Sequence, residues 1–270
     1  AVEDGARLVP LDAVRVPLDA SDLAQRRAHR ERLRVARVHA GDKGVDAAQE
    51  DLLAEDARDP LADGLVLAFR RRIVANERAD GRPNLPRPRE QLAGEPELEH
   101  AVGAEDELEL ALCSAPGGSS LPARRIKKSD QTQSARGQGS NTRYIHDILP
   151  ETQPAHSLLV VEVFTPAGHW SSYPPHKHCV DNIPIESALE ETYYHRVNPP
   201  QGFAFQRVYT DDRSIDETMA VENGDCVKVP EGYHPVGAAH GYDNYYLNVM
   251  AGPKRVWHFK NDPEHEWMIK

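Results

Sequence analysis

The stretch "SSYPPHKHCVDNIPIESALEETYYHR" (residues 171–196) decides how the chain is read. His176 and His178 stand one residue apart, and in a strand alternate residues face the same side. Both imidazoles therefore point one way. Glu190 and Glu191 then open an apolar and aromatic run that reads as the next strand. Glu191, Tyr193 and His195 share one face of that strand; Glu190, Thr192 and Tyr194 share the other. Either glutamate could complete a ligand set begun by the two histidines, and strand parity favours Glu191. A further histidine follows in "GDCVKVPEGYHPVG" (224–237), where a Gly/Pro turn brings a strand back with His234 facing in. Three imidazoles and a carboxylate suit Zn, Mn, Fe, Co or Ni, with positions left for water or substrate. An HxH pair alone is weak evidence. Joined to a strand-borne Glu and a third His after a Gly/Pro turn, it is much stronger.

Outward from this stretch the chain reads as short strands between turn signals. They are "SLLVVEVFTP" (157–166), "ETYYHRV" (191–197), "GFAFQRVYT" (202–210), "TMAVENGDCVKVP" (218–230) and "NYYLNVMAGP" (244–253). Many short strands separated by Gly, Pro, Asn and Asp predict an all-β antiparallel sandwich or barrel. Upstream, "ELELALCSAP" (107–116) alternates like a strand, and residues 115–142 form a polar, Gly/Ser-rich connector.

The first hundred residues differ in kind. They contain one aromatic, Phe69, one Ser, one Ile and one Lys, beside sixteen Arg. Aromatics bury the largest area per residue, so this segment has little with which to build a dense core. Disorder or loose helix is expected, with local helix in "DLAQRRAHRERLRVARV" (22–38) and "DAAQEDLLAEDA" (46–57). The reading divides the chain into an atypical segment 1–105, a strand and connector 106–142, and a metal-binding domain 143–270. The bias of the first segment resembles GC-rich DNA read out of frame.

A net charge of -11 argues against a general affinity for nucleic acid or anionic membrane. No run of apolar residues is long enough to span a bilayer. The start "AVEDGARLVP" lacks the basic and apolar regions of a signal peptide. Three widely spaced cysteines, Cys113, Cys179 and Cys226, suit a reducing cytoplasm.

The HxH…E and Gly…PxG…H pattern resembles the two motifs of the cupin superfamily. The segments "GSNTRYIHDILPE", "LLVVEVFTPAGHWSSYPPHKH", "LEETYYHRVNPPQGFAFQRVYTDDRSIDETMAVENGD", "VPEGYHPVGAAHGYDNYYLNVMAGPKRVW" and "NDPEHEW" closely resemble the 5-deoxy-glucuronate isomerases of bacterial myo-inositol catabolism. The likeness runs from about Glu107 to Trp267. That family of two-cupin proteins is related to 5-keto-4-deoxyuronate isomerase, which carries zinc on an equivalent set.

The resemblance implies a cupin β-barrel (double-stranded β-helix) in the C-terminal half. It implies a divalent metal, zinc first, on His176, His178, Glu191 and His234. It implies an aldose–ketose isomerase acting on a small-molecule uronic acid through an enediol, in the cytoplasm, and leaves homo-oligomer assembly open. Tyr193, His195, Tyr209 and Glu190 are candidates for moving the proton. Arg207, then His240 and Lys254, are candidates for holding the substrate. Arg143 and His146 are weaker site candidates. The competing readings are an Fe(II) oxygenase on a His/carboxylate site and a non-catalytic sugar-binding cupin.

The sequence departs from the family in three places. Cys179 stands where the family usually has Asp after the HxH pair, Lys228 stands where an apolar residue is usual, and residues 1–105 lack the Gly, Tyr and Phe of a first cupin.

Overall fold

The computed structural model describes residues 32–39, 62–70, 107–117, 121–122 and 124–269. In chain order the strands are β1 Arg32–His39, β2 Ala62–Arg70, β3 Glu107–Pro116, β4 Thr132–Arg136, β5 Arg143–Leu149, β6 Leu159–Thr165, β7 Trp170–Ser171, β8 His176–Lys177 and β9 Cys179–Asn182. They continue with β10 Glu186–Ala188, β11 Glu190–Asn198, β12 Phe203–Tyr209, β13 Asp216–Glu222, β14 Cys226–Val229, β15 Val236–Ala238, β16 Asp243–Ala251 and β17 Lys260–Asn261.

Strands β1, β3 and β2 form a three-stranded sheet in that order. This corrects the expectation of disorder or loose helix at two places. Arg32–His39 is a strand although it ends the segment expected to be helical, and Ala62–Arg70 is a strand as well. Each has a local reason: Leu33 and Val35 alternate with Arg32 and Arg34, and "LVLAF" is an apolar run with β-forming residues. The expected helix at 46–57 and the rest of segment 1–105 lie outside the described residues. Two compact units are distinguished, and all the strands from β4 onward belong to the second.

That second unit is the all-β domain expected from the turn-punctuated sequence. A six-stranded sheet of order β14-β11-β16-β6-β5-β4 faces a four-stranded sheet of order β13-β12-β15-β7. Two short ribbons, β10-β9 and β17-β8, complete it. The pairings are antiparallel throughout, so alternate side chains of each strand enter the space between the sheets.

Val161 and Val163 of β6, Tyr193 of β11 and Tyr246 of β16 pack there with Ala204 and Val208 of β12, Val221 of β13 and Val236 of β15. Val208 and Val236 are fully buried, and each such side chain contributes about 1.5–3 kcal/mol. Among the described residues no helix is long and apolar enough to cross a membrane.

Candidate metal centre

The HxH pair sits on a short ribbon. His176 lies on β8, opposite Asn261 of β17. His178 follows it, and its carbonyl accepts the Leu189 N–H at 2.9 Å. Glu191 lies on β11, between Val229 of β14 and Met250 of β16.

The turn before His234 depends on Gly232. Its φ of 96° is left-handed, and a Cβ there would stand 2.5 Å from the Tyr209 carbonyl oxygen. The turn carries the chain from the isolated bridge Tyr209–Tyr233 into β15 and leaves His234 pointing between the sheets.

These four side chains converge. One ligand atom from each of His176, His178 and His234 lies within 4.8 Å of the others, and all three residues are buried. Glu191 Oε1 is 2.8 Å from His234 Nε2 and 3.3 Å from His178 Nε2. Despite these distances, none of the three atoms makes a well-formed hydrogen bond. They face a shared centre.

His234 donates from Nδ1 to the Gly232 carbonyl at 2.9 Å, which leaves the Nε2 lone pair turned inward. Asn248 donates from Nδ2 to the other carboxylate oxygen, Glu191 Oε2, at 2.6 Å. Buried polar atoms without well-formed hydrogen bonds are costly. A cation satisfies all of them together, and three imidazoles with a carboxylate are a donor set for it. The residues present therefore fit a divalent metal.

Without an ion the charges settle among the ligands. Burial raises the Glu191 carboxyl, but His234 and His178 outweigh it and hold Glu191 well below the usual carboxylate range. Burial, reinforced by His234 and then His178, holds His176 well below an ordinary imidazole. Burial also disfavours charge on His178, yet the neighbouring Glu191 carboxylate carries it upward.

Beside this cluster lies a cavity of about 530 Å³, lined by His176, Ser172, Tyr193, Tyr246, Asn248 and Arg143 among others. The sheet register explains its floor. Tyr193 pairs with Asn248, which pairs in turn with Val161, so the three share one row of the inner face. Ser172 adopts a left-handed φ of 48° and sets its hydroxyl 3.2 Å from the Tyr193 hydroxyl and 3.3 Å from that of Tyr246. A non-glycine residue held in that conformation beside a cavity is locally strained.

Of the expected proton-handling residues, only Tyr193 lines the cavity. Glu190 is on the opposite face of β11 from Glu191. Both ring nitrogens of His195 are occupied, Nδ1 by Asn244 at 3.3 Å and Nε2 by Gln206 at 3.0 Å. Tyr209 donates to Asp262 at 2.7 Å and lines a separate cavity of about 350 Å³.

The expected substrate-holding residues are not brought to the cluster either. Arg207 clasps Asp216 through two hydrogen bonds of 2.7 and 2.8 Å and lies over the Tyr209 ring on the outside of the barrel. Lys254 pairs with Asp181 on the surface, and His240 is exposed. Cys179 is turned from the ligands, its N–H and thiol both directed to Glu186 Oε1. Lys228 is exposed on β14, which explains how a charge is accepted there. His146 pairs with Glu162 at 2.9 Å.

Four further residues line the cavity: Ser172, Tyr246, Asn248 and Arg143. Asn248 and Tyr246 alternate inward along "NYYLNVMA", the one available signal.

A profile described as the KduI/IolB family matches residues 96–268. The chain belongs to the KduI/IolB family. Proteins named 5-deoxy-glucuronate isomerase are similar to it. That of Geobacillus thermodenitrificans is 64% identical over 171 residues, 63% of this chain and 62% of the relative. That of Halalkalibacterium halodurans is 65% identical over 162 residues, 60% of each. The chain thus matches about three fifths of the length of these curated relatives. The crystal structure of an IolB-like protein from Salmonella typhimurium LT2 shares the fold, with a TM-score of 0.65 and 39% identity over 89% of this chain and 90% of that one.

Proposed function

We propose that the chain is an aldose–ketose isomerase converting 5-deoxy-D-glucuronate to 5-dehydro-2-deoxy-D-gluconate, within myo-inositol breakdown in the cytoplasm. The observation that carries this reading is the meeting of three buried atoms without well-formed hydrogen bonds, on His178, His234 and Glu191, beside a cavity of about 530 Å³. The names of its 61–65% identical relatives supply the substrate.

His176, His178, Glu191 and His234 would hold the metal, for which zinc is the first choice. When bound, it supplies Lewis-acid polarisation of a carbonyl oxygen. The reaction also needs a base that takes the proton from the carbon beside the aldehyde and returns it to the aldehyde carbon, while a proton leaves the neighbouring hydroxyl and another reaches the carbonyl oxygen. Burial, and then the neighbouring Glu191, push the Tyr193 hydroxyl well above its usual range, so it stays a donor. From the cavity wall it would hydrogen-bond to the carbonyl oxygen as that oxygen gains negative charge. Ser172 links it to Tyr246, and that line of hydroxyls is a route by which the proton is replaced.

The test is an anaerobic assay of the full chain with 5-deoxy-glucuronate, after its metal content is measured. Ketone formed without oxygen, and lost with the metal, is the expected result. Product that needs oxygen identifies an oxygenase, and binding without product identifies a sugar-binding cupin.

A further inference from the structure

We propose that Arg143 is the residue that fixes the substrate's carboxylate, and so selects uronic acids over neutral sugars. This rests on the isomerase reading above for the substrate class, and on the cavity for the position.

Arg143 opens β5 and lines the same cavity as His176 and Tyr193. Arg143 is half-buried, and its one side-chain hydrogen bond among the described residues runs from Nη1 to the Asn141 carbonyl at 3.1 Å. No carboxylate of the described residues forms an ion pair with it. The contrast with Arg207 is direct, because that side chain already spends its planar fork on Asp216. A partly desolvated cation without a counter-ion is unfavourable in the empty protein, and an anionic ligand relieves it.

The neighbourhood strengthens the point. Arg136 is directly opposite Arg143 in the β4–β5 ladder and lines the same cavity. Like charges at opposed positions destabilise a sheet. Burial lowers the Arg143 pKa, Tyr246 opposes that shift, and Arg136 adds a smaller lowering. Arg136 is exposed to solvent and near Asp147, so the half-buried Arg143 is the cation at this wall for a carboxylate to neutralise.

The loop between these strands is shaped to them. Gly137 has a φ of 80°, and a Cβ there would meet the Asn141 carbonyl oxygen and stand 2.8 Å from Arg143 Nη1. The turn therefore closes down on the guanidinium and holds its Nη1 edge. A planar fork fixed at one edge retains N–H groups for two-point contact with a carboxylate, which a lysine does not reproduce.

The test measures binding of D-glucuronate and of D-glucose to the full chain by calorimetry, for the unaltered protein, Arg143→Lys and Arg143→Gln. Folding of each is checked by its melting transition. The expected result is a preference for glucuronate in the unaltered chain, reduced about tenfold in Arg143→Lys and about a hundredfold in folded Arg143→Gln, with glucose affinity unchanged. If Arg143→Gln does not fold, Arg143→Lys alone decides. An undiminished uronate preference in either folded variant overturns the proposal, as does its absence from the unaltered chain.

Turnover separates this from the isomerase reading. Arg143-dependent uronate binding with no isomerisation leaves the anchor standing and removes the isomerase. Isomerisation of 5-deoxy-glucuronate with an unchanged KM in Arg143→Gln removes the anchor alone.

Discussion

Asn248 donates to Oε2 of Glu191 at 2.6 Å and thereby turns Oε1 towards His178 and His234. The two residues lie on neighbouring strands, Glu191 beside Met250 and Asn248 beside Tyr193, so the contact is diagonal across the β11–β16 ladder. Partners of this kind orient a ligand and tune its basicity. Replacing Asn248 with Ala strands a buried carboxylate oxygen while leaving all four donors in place. Metal affinity is expected to fall about 10–100-fold, measured by competition with a coloured chelator. Unchanged affinity shows that the carboxylate orients itself.

Removal of a donor is a harsher change. His178→Ala should lose both metal and isomerase activity, while the far-ultraviolet circular dichroism of the barrel persists. Metal-free protein that isomerises the uronate at the normal rate rules out the Lewis-acid reading.

Gly232 is expected to tolerate nothing larger. Alanine there meets both a φ of 96° and a backbone oxygen 2.5 Å away. The strain costs on the order of 1–3 kcal/mol, and the turn that aims His234 must shift. Gly232→Ala should therefore melt earlier and bind metal more weakly. A variant that melts earlier with unaltered metal affinity shows that His234 is aimed by β15 instead.

The ligand charges give a pH dependence with a definite sign. In metal-free protein His178 has a raised pKa, so its contribution is complete below the ordinary imidazole range and is lost as pH rises through the folded value. His176, lowered well below that range, acts in the opposite sense: its neutral form is favoured by folding, and stability falls as pH drops below the unfolded value. Glu191, held low, contributes above the ordinary carboxylate range and loses that contribution as pH falls through its folded value.

Stability of the metal-free chain should thus decline on both sides of near-neutral pH. Metal requires neutral imidazoles and releases the His178 proton. The rise in Tm on adding zinc should be larger at pH 8 than at pH 6. Equal rises at the two values contradict the proposed ligand set.

The parts of the site that could be read in sequence are those set by local parity. His176 and His178 share a side because one residue separates them, and Glu191 is distinguished from Glu190 by the alternation of β11. His234 was legible because Pro230 and Gly232 mark its turn. Asn248, Tyr246 and Arg143 reach the same cavity only because β11, β16, β6 and β5 are neighbours in one sheet. That order is fixed by long-range pairing, which no spacing within a strand reveals.

Arg207 was misread for a related reason. Phe203 and Phe205 share its face of β12, and they are 40% and 47% exposed. Small Ala204, polar Gln206 and Val208 are the residues that turn inward. At the start of the chain, low aromatic content points to disorder or loose helix, but alternation in "RLRV" and an apolar run in "LVLAF" suffice for β1 and β2.

The four converging side chains come from separately hydrogen-bonded pieces of the barrel. His176 belongs to the β17-β8 ribbon, Glu191 to the six-stranded sheet, and His234 to the turn that enters the four-stranded sheet. Whatever occupies the centre is therefore a rivet through three plates. Its effect should spread beyond the ligands as slower breathing of the sheets against one another. Amide hydrogens of β8, β11 and β15 would then exchange with solvent as one group when the centre is filled, and as three groups with separate rates when it is not.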